Sequence, residues 1–125
     1  RDENELEGLI VQFLKIHFKD KKIDRQYKTE KGTIDIGVDD KIGIEIKIAE
    51  SNKVLENLEG QLLKYKRLFG EGKVGAIILK TSKISEEKLD EYLDIYQQNC
   101  IKTIILDKGL LKRRKSNVKT FKVIK

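Results

Sequence analysis

The sequence predicts an α/β domain, a mixed β-sheet with helices on both faces in the order αβββαβαβ. Three observations carry this expectation. Apolar residues recur at helical spacing in three segments and alternate with polar residues in a central hairpin. "KVGAIILK" is a short continuous apolar run, the mark of a central strand covered on both sides. The 125 residues contain no proline, no Gly/Ser linker and no repeat, so residues 1–125 form one domain with a basic C-terminal segment, 108–125.

In chain order, "ENELEGLIVQFLKIHF" predicts the first helix, with Leu6, Leu9, Ile10, Phe13, Leu14 and His17 on one apolar stripe. His17 is therefore expected in the core. "KIDRQYK" reads as a strand, and "GTIDIGVDDKIGIEIKIAES" as a hairpin. "NKVLENLEGQLLKYKRLFG" is the second helix, with Leu55, Leu58, Leu62, Tyr65 and Phe69 inward and Gly70 ending it. After the central strand, Ser85 is the expected N-cap of a third helix, with Glu86 and Glu87 in its first turn. Ile84 and Leu89 would form its hydrophobic staple, and Leu89, Tyr92, Leu93 and Tyr96 its buried stripe. Cys100 is expected beneath the sheet. "IKTIILD" is another strand, and "VKTFKVI" a candidate last one at an edge.

The hairpin poses a chemical problem. Alternation puts Ile34, Ile36 and Val38 on one face with Ile42, Ile44, Ile46 and Ile48, and Thr33, Asp35, Gly37, Gly43, Glu45 and Lys47 on the other. A three-residue loop over 39–41 pairs Val38 with Ile42, Ile36 with Ile44 and Ile34 with Ile46. It sets Gly37 against Gly43, Asp35 against Glu45, and Thr33 against Lys47. Opposed side chains have Cβ atoms about 5 Å apart, so two carboxylates there repel unless a cation lies between them. Two carboxylates, the backbone carbonyl of Ile46 and water suit Mg²⁺, with Mn²⁺ as a substitute. Such an ion polarises a phosphate oxygen and acidifies bound water, and Lys47 on the same face would offset charge developing on phosphorus. Gly37 and Gly43 would leave room for a phosphate backbone. A short D…ExK pattern also occurs on solvated outer faces; here the apolar opposite face and the bracketing helices favour a site.

Charge points to a polyanion. Residues 108–125 carry Lys108, Lys112, Arg113, Arg114, Lys115, Lys119, Lys122 and Lys125 and no acid, a charge of +8 that leaves −2 on residues 1–107 of the net +6. The cations at Lys112, Arg113, Arg114, Lys115 and Lys119 are candidate nucleic-acid contacts, and a solubilising end is the alternative. One cysteine excludes an internal disulfide and an all-cysteine metal site, as expected for a reducing cytoplasmic setting. No apolar stretch approaches the roughly 20 residues of a membrane helix. The chain opens on Arg1, as a trimmed or excised fragment would.

With these residues in view, the chain resembles the PD-(D/E)xK nuclease superfamily, and within it the archaeal Holliday junction resolvases. The resemblance runs over roughly residues 5–80: "LEGLIVQFL", "TIDIG", "IEIKI" and "LEGQLLKYKRLFGEGKVGAIILK". It implies a restriction-endonuclease-like core and an Mg²⁺-dependent endonuclease, often homodimeric, that cuts branched or plain duplex DNA. By position, Glu7 matches the first-helix metal or water ligand, with Glu3 and Glu5 as alternatives. Asp35, Glu45 and the Ile46 carbonyl match the metal ligands, Lys47 the catalytic lysine, and Gln61 the polar residue of the second helix, ahead of Lys64 and Tyr65. Glu7 lies at the margin of the apolar stripe, which also fits an exposed helix acid; Gln61 also fits a surface position. Gly8 stands where the resolvases carry a basic residue, Ile34 replaces the motif's proline, and the chain from "TSKISEEKLDEYLDIYQQ" onward departs from the resolvase C-terminus. A restriction, repair or homing-type nuclease therefore remains an alternative, as does an inactive nucleic-acid-binding module of the same fold. Aromatics are 6% of residues and lie mostly on buried stripes, which disfavours RNA.

Overall fold

The computed structural model describes residues 2–107 together with the backbone of residues 122–124. Its elements are α1 (Glu3–His17), β1 (Ile23–Thr29), β2 (Gly32–Val38), β3 (Ile42–Ile48), α2 (Asn52–Phe69), β4 (Val74–Lys80), α3 (Glu86–Gln98), β5 (Lys102–Asp107) and β6 (Lys122–Ile124). The strands form one mixed sheet in the spatial order β1–β2–β3–β4–β5–β6. β3, β4 and β5 run parallel, while β1–β2, β2–β3 and β5–β6 are antiparallel. Three residues of "VKTFKVI" thus form an edge strand, which adds one β to the predicted order.

Each helix begins on a side-chain cap. Asp2 Oδ1 accepts from the Glu5 amide at 2.9 Å, Ser51 Oγ from Val54 at 3.2 Å, and Ser85 Oγ from Lys88 at 3.1 Å. Two apolar layers sandwich the sheet. α2 and α3 bury Leu55, Leu58, Leu62, Tyr65, Leu89, Leu93 and Tyr96 against one face. α1 covers the other with Leu6, Ile10 and Val11 against Ile36, Ile46, Ile48 and Leu79. Helices therefore flank both faces, and β4 is the covered central strand.

α1 is rolled away from the expected stripe. Glu7 and Val11 turn inward with Leu6 and Ile10, whereas Leu9 is 49% exposed and His17 lies outside, its ring 4.3 Å from that of Phe13. The roll has a local cause, since β1 supplies hydrogen-bond donors for Glu7. Cys100 is exposed rather than beneath the sheet, with φ +61 in the turn after α3.

The hairpin keeps its predicted register only in part. Val38–Ile42, Gly37–Gly43 and Ile36–Ile44 pair as expected, and there the β2–β3 ladder stops. Asp35–Glu45, Ile34–Ile46 and Thr33–Lys47 are not ladder pairs. The β1–β2 ladder also skips Gln26 and Asp35, although Arg25–Ile36 and Tyr27–Ile34 keep one register on either side. Across this break the faces exchange. Ile23, Ile36 and Val38 pack under α1, but Tyr27 and Ile34 pack under α2. Ile34 and Ile36 consequently lie on opposite faces, against the expectation from strict alternation.

The exchange also fills the space expected beside the glycines. A Cβ on Gly37 would lie 2.5 Å from Tyr27 Cγ, and one on Gly43 would lie 2.5 Å from Ile34 Cδ1 and 2.9 Å from Phe69 Cε2. These glycines admit core side chains, leaving no room there for a phosphate backbone.

Candidate active site

β3 has one regular edge and one open edge. The amides of Gly43 and Ala49 donate to Lys73 and Leu79 on the β4 side, each at 2.9 Å. The even-numbered amides of β3 therefore point towards β2. Past Ile44 no strand among the described residues pairs with them, and carboxylates take the place of strand carbonyls. The Ile46 amide donates to Asp35 Oδ2 at 2.8 Å, and the Ile48 amide to Glu3 Oε2 at 3.2 Å. Buried amides need partners, and acidic side chains supply them here.

Asp35 and Glu45 come together without being ladder partners. Glu45 is 2% exposed, and its pKa is pushed up to about 8. Burial is the largest cause, followed by the charge of Asp35 and a side-chain hydrogen bond to it, while Lys47 acts in the opposite sense. Burial and the Asp35 charge both favour the neutral form of Glu45, whose carboxyl can donate a hydrogen bond towards Asp35. Tyr65 on α2 feels the same pair: burial first, then Glu45 and Asp35, raise its phenol.

Of the other predicted residues, Lys47 lies beside this pair and Glu7 reaches it through Gln26. Lys47 is half-buried, with Nζ 3.7 Å from Glu3 Oε1. Glu7 is 4% exposed; its carboxylate pairs with Arg25 and accepts from Gln26 Nε2 at 2.9 and 3.0 Å. The same Gln26 nitrogen reaches Asp35 Oδ1 at 3.5 Å, so Glu7 stands one side chain away from the pair. Glu5 is exposed. Gln61 precedes Tyr65 by one helical turn, and its buried Oε1 has no hydrogen-bond partner among the described residues. The tail cations at Lys112, Arg113, Arg114, Lys115 and Lys119 lie outside the described residues.

Two participants were missed from the sequence, Arg25 and Gln26. Strand alternation sends neighbouring side chains to opposite faces, so nothing in "IDRQYK" signals that both meet Glu7. A Cβ on Gly8 would sit 3.5 Å from Arg25 Nη1, so the guanidinium of β1 lies over that point of α1.

Among the described residues, no group of three or more Asp, Glu, His or Cys side chains is placed to hold a metal ion. The acidic donors are a pair. Two carboxylates, the Ile46 carbonyl on the open edge and water nevertheless fit a cation that keeps part of its hydration shell, as Mg²⁺ does. The orphaned Gln61 oxygen is consistent with an outer partner for such an ion's water. No helix among the described residues is long and apolar enough to cross a membrane. Comparisons with protein-family models, with curated proteins and with solved structures give no match.

Proposed function

We propose that the protein is a metal-dependent DNA endonuclease of PD-(D/E)xK type on a restriction-endonuclease-like core. The observation that carries this reading is the meeting of Asp35 and Glu45 beside Lys47 at the open edge of β3. Asp35, Glu45 and the Ile46 carbonyl would hold Mg²⁺ or Mn²⁺, which when bound supplies Lewis acidity at a phosphate oxygen and a more acidic water. Lys47 lies two residues from Glu45 and offers a cation for charge building on phosphorus. Glu3 holds that ammonium in the absence of substrate, and a phosphate would compete for it. A cation held between Asp35 and buried Glu45 would favour the charged form of Glu45, so metal loading would be coupled to release of the Glu45 proton. The +8 segment after Asp107 supplies affinity for a polyanion through counterion release. The substrate is DNA, branched or plain, and the protein acts as a homodimer.

The test is plasmid nicking with Mg²⁺ or Mn²⁺, alongside a panel of four-way junction, flap, single strand and duplex. Wild type is expected to cut at least one form, and Asp35→Ala and Lys47→Ala to bind it equally without cutting. Absence of metal-dependent cleavage of every form would leave a nucleic-acid-binding module.

A further inference from the structure

Gln26 stands in the middle of β1 with φ +55, in the left-handed region that side chains bearing a Cβ rarely adopt. No turn requires it, because the β1–β2 register is the same before and after. The requirement comes from Glu7. In an extended strand Arg25 and Gln26 would point to opposite faces, yet both bond the same buried carboxylate. Only a backbone break at Gln26 lets consecutive side chains converge in this way. That break is also where Asp35 leaves the ladder to meet the Ile46 amide.

We propose that Gln26 is a positioning residue of the site: its amide, anchored on buried Glu7, fixes the Asp35 carboxylate at the open edge of β3. This rests on the nuclease reading above and deepens it. Glu7 then acts as an anchor whose charge is matched by Arg25, and its influence on the metal passes through Gln26 to Asp35. Strain retained in a strand interior marks a conformation that its surroundings over-determine, and here the surroundings are Glu7, Arg25 and Asp35.

Glycine separates the backbone from the amide. Gln26→Gly accepts φ +55 freely and deletes only the side chain. Its thermal midpoint in EDTA is expected near that of wild type, the relieved backbone offsetting the lost bonds to Glu7, with DNA affinity in EDTA unchanged. Mn²⁺ binding, read from the free-ion EPR signal of the protein alone, should weaken roughly 10- to 100-fold, as loss of an outer partner does. The Mg²⁺ concentration for half-maximal nicking should rise by the same factor. Glu7→Gln should weaken Mn²⁺ binding in the wild-type background and add nothing in Gln26→Gly. Wild-type Mn²⁺ affinity in Gln26→Gly, or additive losses in the double variant, would overturn the positioning role while leaving an active nuclease in place. A wild-type protein that neither binds Mn²⁺ nor cuts DNA overturns the nuclease reading and this one with it.

Discussion

The two edges of β3 are built by different rules. Towards β4 the ladder runs without a gap from Gly43–Val74 to Ile48–Leu79, parallel and walled by apolar side chains. Towards β2 it lasts from Val38–Ile42 to Ile36–Ile44, after which Asp35 and Glu3 take over the amides of Ile46 and Ile48. One strand thus serves as structural spine on one side and as a bench for acids on the other. The lesson is that repeated backbone pairing excludes chemistry. A reactive edge needs its partner strand turned away and its amides satisfied by groups that can also bind something else.

The largest expected effect lies on the regular side. Leu79 of β4 is 1% exposed in the apolar layer under α1, and Leu79→Ala should cost about 2–5 kcal/mol in urea unfolding. Cleavage per folded molecule should stay near that of wild type, because Leu79 pairs with Ile48 and lies on the face of the sheet opposite Glu45 and Lys47. Loss of cleavage out of proportion to unfolding would erase the division between the two edges.

On the open side the signs reverse. Lys47→Ala should lower the cleavage rate about 10²- to 10³-fold, the usual cost of removing a donor aimed at transition-state charge. Lys47 is half-buried and its ion pair with Glu3 is long, so the unfolding midpoint should move little. A large drop in stability with intact cleavage would place Lys47 in the spine.

The acid pair gives a pH test. The folded pKa of Glu45, about 8, lies above its ordinary value of 4.5, so the folded chain holds a proton that the unfolded chain releases. Its contribution is complete below the unfolded value and is lost as pH rises towards 8. In EDTA, wild-type stability should therefore fall between pH 5 and 8, over roughly a few kcal/mol from this group. Glu45→Gln should flatten that slope, and Mg²⁺ should restore wild-type stability most at the alkaline end. A pH-independent midpoint for wild type in EDTA would mean that Glu45 is not held buried beside Asp35.

Most of the fold was legible because it is periodic. Leu55, Leu58, Leu62 and Tyr65 recur at helical spacing and are buried, and Ser85 caps the third helix where its neighbours indicated. Asp35, Glu45 and Lys47 stood out because charge among isoleucines is costly without a partner. What periodicity could not show was its own interruption. A two-residue alternation read through Gln26 and Asp35 puts Ile34 with Ile36, Asp35 opposite Glu45 and free space at Gly37. Each of these fails for one reason, a left-handed residue in a strand of ordinary composition. The inward roll of Glu7 was hidden in the same way, since its partners Arg25 and Gln26 come from another element and leave no mark on the helix's own pattern.

The smallest effects test that interruption through the glycines. If β1 and β2 exchange faces at Gln26 and Asp35, Tyr27 occupies the place of a Gly37 side chain. Gly37→Ala then drives a methyl into the base of an aromatic ring, which cannot swing clear as a chain end could. The expected cost is about 1–3 kcal/mol. Gly60, in the exposed face of α2 with nothing within 4 Å of its would-be Cβ, provides the contrast. Gly60→Ala relieves backbone entropy in a helix interior and should stabilise by about 0.5–1 kcal/mol. With uninterrupted alternation Tyr27 would lie under α1, away from Gly37, and the two substitutions would both be benign. Opposite signs at the two glycines therefore report the exchange of faces, and equal signs deny it, without any assumption about metal, DNA or catalysis.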